Sequence, residues 1–475
     1  MGHMEQFTEV PVNTDSKRIY RKSAVKNSTT GRLAMASMSV ANSSTAIDHD
    51  THAGRASMQQ KSSTSAATVV ATDIQTPRAT ALLRQLLVQV LEHANEGHFL
   101  LREQGRVIAE VGNRSDSLKA EVDVLDLRCY RRALFGGNTG AGEAYIDGWW
   151  TTPDITQVTR FFSRNLSMMD HWNRRFGWLL KPLSIVRMMR RANSRSQAKK
   201  NILAHYDLGN DLYTTFLDNR MQYSSAIYRS PSDSLEQAQE NKLARICEQL
   251  ELTSDDHLLE VGSGWGGLAI YAASHYGCKV TTTTISDRQY QHAQEEVKRA
   301  GLSDHIEVLD RDYRLLEGQY DKIVSVEMIE AVGRQYLPGF FTKLNGLLKP
   351  GGLMMLQAIT IAEQRFRDYM RSEDFIQKHI FPGGFLPTMA LMTELMAKRT
   401  EFIVRDVYDI GHDYARTLAD WRERFVANNE SLKAQGYDDK FCNLWTYYLG
   451  YCEGGFLERR ISAVQVLASK APHRT

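Results

Sequence analysis

The sequence predicts an α/β protein: a doubly wound parallel sheet preceded by a smaller N-terminal α+β domain and a disordered leader. Three observations carry this. From about Lys199 onward, strand-like runs (HLLEV, KVTTTTI, IEVLD, YDKIVSVEM, GGLMMLQAI) alternate with the helical stretches LAIYAASHY, RQYQHAQEEVKRA and LPGFFTKLNGLL, the pattern of successive β-α-β units. A glycine cluster stands between the first of these strands and the helix after it. The 475 residues are 42% apolar and 24% charged, with a mean hydropathy of −0.40, a balance that suits two or three soluble domains.

Residues 1–76 are rich in Ser, Thr and Ala, as in SSTSAATVV, and poor in large apolar side chains. Ordering such a chain costs more conformational entropy than its burial returns, so a disordered leader is expected, its opening MGHM reading as a cloning remnant. Residues 77–180 look globular. TALLRQLLVQVLEHA has helical spacing, HFLLREQGRVIAEVG reads as strand and turn, and LDLRCYRRALFGGNTGAGEAYIDGWW as a short strand, a glycine-rich loop and a helix. Gly136, Gly137, Gly140 and Gly142 lack the following Lys-Ser/Thr of a phosphate loop and read as turn glycines.

Fifty-eight Lys plus Arg against 56 Asp plus Glu leave +2, so bulk charge gives no reason to expect nucleic acid as a partner. Locally the balance differs. No acidic residue lies between Asp170 and Asp207, where Arg187, Arg190, Arg191, Arg195, Lys199 and Lys200 gather near Leu183, Ile185, Val186, Met188 and Met189. Residues 181–200 are therefore expected to form a basic amphipathic linker able to lie on an anionic lipid surface, the alternative being an interdomain helix with a solvated basic face. Five cysteines without C-x-x-C spacing fit a reducing cytoplasm. No apolar run approaches the roughly 20 residues that span a bilayer. The protein is thus expected in the cytoplasm, peripheral on the inner face of the membrane. His205 has no second His or Cys at ligand spacing, and no metal is expected.

Residues 201–475 carry the chemistry. Gly262 and Gly264 permit a tight turn and close backbone approach to a ligand, and Gly266 and Gly267 let the next helix pack nearby. The spacing departs from G-x-G-x-x-G. Glu260, two residues before Gly262, would repel a pyrophosphate but suits an amino-acid ammonium, which favours S-adenosylmethionine over a dinucleotide. Thr284, Ser286 and Gln289 at the end of the following strand offer polar groups for ribose and methionine, and Asp312 with Tyr313 a carboxylate and an aromatic face for adenine. Glu330 follows the strand IVSVEM, where such folds place chemistry; a carboxylate favoured by a helix dipole is the alternative.

Six stretches then run in one order: HYDLGNDLYTTFLDNRMQYSSAIY, LLEVGSGWGGLAIYAA, RDYRLLEGQYDKIVSVEMIEAVG, IFPGGFLP, GHDYARTLADWRERF and YLGYCEGGF, with GAGEAYIDGWW before them. In these the chain resembles the cyclopropane-fatty-acyl-phospholipid synthase family, which includes the mycolic acid methyltransferases. The resemblance implies a sheet of the class I S-adenosylmethionine methyltransferase type and methyl transfer to a cis double bond of a phospholipid acyl chain. Ring closure would follow deprotonation of a carbocation by bound bicarbonate. It assigns Ser225, Glu330, Gln357, Ile359 and Tyr414 to the anion's pocket. It assigns Tyr223, Ser224, Gly262, Gly264, Thr284, Ser286, Gln289 and Tyr313 to the methyl donor. Cys452 matches a cysteine proposed as catalytic in the family, although a thiol nucleophile has no step in alkene methylation and a structural role is the plainer reading.

Two positions depart from the family pattern: Ser225 stands where many members have cysteine, and Gln357 where many have histidine. A glutamine amide donates a hydrogen bond but cannot relay a proton as imidazole does, so a methyl-branched product stays open. A methyltransferase of soluble small molecules and a silent lipid-binding relative also stay open, although Glu330 and Tyr414 argue against silence. The expected partners are the membrane surface, an unsaturated phospholipid substrate and, as a homodimer, a second copy of the chain.

Overall fold

The computed structural model describes residues 77–166 and 209–472. The leader, the basic linker and His205 lie outside the described residues. In the first stretch the helix Arg78–Leu91 precedes a hairpin of strands β1, His98–Glu103, and β2, Arg106–Gly112. Strand β3, Lys119–Val124, runs parallel to β1, and the short β4, Trp150–Thr151, closes a sheet of order β2-β1-β3-β4. Burial alternates along β1 and β3, with Phe99, Leu101, Val122 and Val124 turned to one side, as a half-buried pleat requires.

The glycine-rich loop expected here is helical instead. Arg128–Ile146 is a helix broken only at Gly137, whose φ of 56° no helix accommodates. Gly142 packs so closely that an added Cβ would lie 2.7 Å from the ring of Phe375 and 2.8 Å from that of Tyr447. Tertiary packing thus overrides the intrinsic helix cost of glycine, about 1 kcal/mol each.

The second sheet has the order β10-β11-β9-β8-β5-β6-β7. Strands β5 (His257–Val261), β6 (Lys279–Thr284), β7 (Ile306–Asp310), β8 (Tyr320–Val326) and β9 (Leu348–Ile361) are mutually parallel. These are the five runs read from the sequence. Two further strands were not foreseen: β11 (Ile461–Lys470) lies antiparallel to β9, and β10 (Phe402–Asp409) antiparallel to β11, so the sheet is mixed. Its helices cover both faces, with Phe340, Phe341 and Leu344 on one and Leu243, Ile246 and Leu268 on the other. This is the doubly wound arrangement, with its crevice at the carboxyl ends of the parallel strands.

The helix Ile155–Arg164 packs on the helix Asp439–Leu457 where Gly450 and Gly454 meet Ile155, Thr156 and Thr159. Thr156 Oγ1 donates to Glu453 Oε2 at 2.8 Å and Arg422 Nε to the same oxygen at 2.9 Å. Arg160 and Arg164 donate to Glu458 at 2.7 and 2.9 Å. This seam brings the small sheet against the carboxyl-end crevice of the large one.

Candidate active site

Beyond β5 the chain turns through Gly262 (φ 100°), Gly264 (φ 49°) and Gly266 (φ 90°) into the helix Gly267–Tyr276. The N–H groups of Gly262 and Ser263 donate to the Thr283 carbonyl at 3.1 and 2.9 Å, which pins the turn to β6. Around it opens a cleft of about 940 Å³, within the size range of small-molecule sites. All ten residues expected around the methyl donor line this one cleft: Tyr223, Ser224, Glu260, Gly262, Gly264, Thr284, Ser286, Gln289, Asp312 and Tyr313. Glu260 Oε2 accepts from Thr282 Oγ1 at 2.5 Å. Burial pushes this carboxyl up to about 8, so a cationic ammonium beside it would be needed to restore its charge at neutral pH. Thr284 Oγ1 donates to Gln289 Oε1 at 2.9 Å, and Asp312 caps its own turn, accepting from the Arg314 N–H at 3.0 Å. The glycine turn, the buried carboxylate and these polar groups fit an S-adenosylmethionine molecule.

One residue under this cleft was missed. Lys242 is fully buried, and its Nζ donates to Gln222 Oε1 and Ser224 Oγ, both at 2.9 Å, which positions the 222–224 segment. Burial lowers its pKa to about 8 against the pull of Asp218, Glu327 and Glu260. The signal was present: Ala238, Lys242 and Ile246 stand four apart on one buried stripe of the helix Leu235–Gln249.

A second cavity, about 480 Å³ and mostly apolar, runs between the two sheets. Leu101, Val122 and Trp150 wall it from the small sheet and Phe162 from the helix beside it, and Tyr448, Tyr451 and Phe456 of the helix Asp439–Leu457 and the loop residue Phe381 close the other side. Tyr223, Glu327 and Ala331 line both cavities, so the two meet at those side chains. Glu330, Ile359, Tyr414 and Cys452 face the apolar cavity, whereas Ser225 and Gln357 are fully buried behind it. Burial pushes the Cys452 thiol far up, which removes it as a nucleophile.

The structure gathers Ser225, Gln357 and Tyr414, residues expected around the anion, about a side chain that sequence reasoning left out. Glu327, the residue after β8, points back at them. Its Oε1 accepts from the Ser225 N–H at 3.0 Å and from Gln357 Nε2 at 2.9 Å; its Oε2 accepts from the Tyr414 hydroxyl at 2.7 Å. Gln357 is aimed by Gln465 of β11, whose Nε2 donates to Gln357 Oε1 at 2.9 Å. Glu327 holds φ 49°, a left-handed conformation that costs a residue with a Cβ free energy and is found where function demands it. Glu330 Oε1 accepts from the Ile359 N–H at 2.6 Å, and its buried Oε2 has no hydrogen-bond partner among the described residues. Burial and the neighbouring Glu327 raise Glu330 to about 8, so it is protonated at neutral pH.

The model of the mycolic acid cyclopropane synthetase family matches residues 193–466. The chain belongs to that family. It is 37% identical over 358 residues to the cyclopropane-fatty-acyl-phospholipid synthase of Escherichia coli, covering 74% of this chain and 89% of that one. It is also 37% identical over 333 residues to the tuberculostearic acid methyltransferase of Mycobacterium tuberculosis, covering 69% and 77%. Two solved structures share the fold: the cyclopropane synthase MmaA2 from M. tuberculosis (28% identity, TM-score 0.54) and the mycolic acid cyclopropane synthase CmaA1 complexed with SAH and CTAB (29%, TM-score 0.54), each alignment covering 57% of this chain and 98% of the other. As a member of the mycolic acid cyclopropane synthetase family, the chain is an S-adenosylmethionine-dependent methyltransferase with a class I fold.

Bicarbonate, which the resemblance implies, does not fit this member as it stands. The Ser225 N–H, Gln357 amide and Tyr414 hydroxyl are all engaged by Glu327, and the Ile359 N–H by Glu330. A second anion placed there would face the Glu327 carboxylate with no donor left to hold it.

Proposed function

We propose that this enzyme transfers the methyl group of S-adenosylmethionine to a cis double bond in a phospholipid acyl chain and closes a cyclopropane ring. The observation that carries the reading is the meeting of the two cavities at Tyr223, Glu327 and Ala331: a polar cleft sized for the donor opens onto an apolar one suited to a hydrocarbon. When bound, the donor supplies an electrophilic sulfonium methyl. The protein's own part is to align the alkene with that methyl and keep water from the cation that follows. Tyr223 and Tyr448, with hydroxyls 3.0 Å apart, and Tyr414, stacked on Phe456 at 4.5 Å, offer aromatic faces to such a cation. Kinship with the E. coli enzyme supports the phospholipid substrate, and a peripheral seat on the membrane follows from it.

A methyl-branched product is the second reading, favoured by Gln357 in place of an imidazole and by the similarity to tuberculostearic acid methyltransferase. One experiment separates them. Full-length protein is incubated with methyl-labelled S-adenosylmethionine and vesicles of cis-unsaturated phospholipid, and the acyl chains are examined by mass and proton resonance. A methylene bridge is the expected result; a methyl branch supports the second reading, and unlabelled acyl chains overturn both.

A further inference from the structure

We propose that Glu327 is the built-in base of this enzyme, its carboxylate taking the place and the work of a dissolved anion. The inference rests on the lipid-methylating reading above and adds the residue that finishes the reaction.

Three features point to it. The carboxylate is held by three donors from three separate parts of the fold, the Ser225 backbone, Gln357 on β9 and Tyr414 on the helix Gly411–Ala427, which fixes it within hydrogen-bond geometry before any ligand arrives. It lies in the wall shared by donor cleft and acyl cavity, where the cation forms. It stands in a left-handed backbone conformation, a strain that a structural glutamate at a strand end has no reason to bear. Oε1 receives two donors, whereas Oε2 receives only Tyr414 among the described residues, so Oε2 keeps a lone pair for a proton. The charged and titratable groups facing it are Glu330, Tyr414 and the more distant Lys242.

The step balances without a further reactant. As the methyl carbon bonds to one alkene carbon, its bond to sulfur breaks and sulfur keeps the pair as a neutral thioether. The other alkene carbon becomes cationic. Glu327 Oε2 removes a proton from the transferred methyl, the C–H pair forms the second bond to the cationic carbon, and the three-membered ring closes. Glu327 is left as the acid and returns its proton to solvent after the product leaves. Glu330, already protonated, does not compete for it.

The test compares full-length wild type, Glu327→Gln and Glu327→Gly in carbon-dioxide-free buffer, with and without added bicarbonate, by transfer of labelled methyl into cis-unsaturated phospholipid vesicles. Wild type should be unchanged by bicarbonate. Glu327→Gln should lose about a hundredfold or more in kcat, with no rescue because the amide still fills the site. Glu327→Gly should lose as much and regain activity with bicarbonate, which can then reach the three vacated donors. Glycine accepts φ 49° without strain but leaves three buried donors unpaired, so the variant's Tm should fall without bicarbonate and recover with it, and an unchanged far-ultraviolet circular dichroism spectrum at the assay temperature separates lost activity from misfolding. Wild-type transfer that depends on bicarbonate, or a Glu327→Gln variant as fast as wild type, overturns this inference alone. A wild type that never labels lipid overturns the function reading with it.

Discussion

Glu327 and Glu330 are one residue type in one turn of chain, both carboxyls raised by burial, yet three donors oppose that shift at Glu327 and one at Glu330. Glu330 is fully buried with Glu327 beside it, which raises it further. The consequence for stability has a definite sign. Glu330 titrates near 4.5 when unfolded and near 8 when folded, so between those values the native state binds more protons and stability falls as pH rises. Glu330→Gln removes that slope. Its Tm should equal wild type near pH 4.5 and exceed it at pH 8 by roughly 2 °C or more, as measured by thermal denaturation across that window; an equal Tm at pH 8 would show Glu330 is not buried as an acid. Neither role was fully legible in the sequence. The E-x-x-E at the end of IVSVEM was visible, and so was the missing imidazole at Gln357, but a positive φ leaves no composition signal, and it is φ at residue 327 that turns the carboxylate toward β9.

Among the elements, the parallel strands could be read because they are short runs rich in apolar or β-branched residues, the threonines of β6 included. The antiparallel pair β10 and β11 could not, since strand direction is set by the connection and not by the pattern of the strand itself. Yet β11 supplies Gln465, directly opposite Gln357 in register, and so steadies the donor that grips Glu327. The glycines of the helix Asp439–Leu457 matter in the same indirect way. Gly450 lets that helix approach Ile155 so closely that an added side chain must displace it. Gly450→Val should cost about 1–3 kcal/mol of stability by overpacking and cut lipid methylation, whereas calorimetric binding of S-adenosylmethionine should persist, because the donor cleft is built from other elements. Loss of both together would show that the seam holds up the donor cleft as well.

Taken whole, the molecule joins an apolar cavity to a donor cleft within one chain, and no helix among the described residues is long and apolar enough to cross a membrane. On the proposed reading, a phospholipid substrate would be met at a lipid surface. The basic stretch of residues 181–200 is the sequence's candidate for that meeting, although it lies outside the described residues. Reversing charge at Arg187, Arg190 and Arg191 should weaken cosedimentation with anionic vesicles by about 1 kcal/mol for each cation lost, most clearly at low ionic strength. Unchanged cosedimentation would remove the stretch from the account. The seam between the two sheets behaves differently toward salt. Its carboxylates, Glu453 and Glu458, are about nine-tenths covered and shared with threonine and arginine partners, so dissolved ions screen them far less than they screen an exposed contact with lipid. A brief high-salt wash should therefore lift the protein from vesicles with its two halves still clasped, and dilution should return it to the surface ready to turn over.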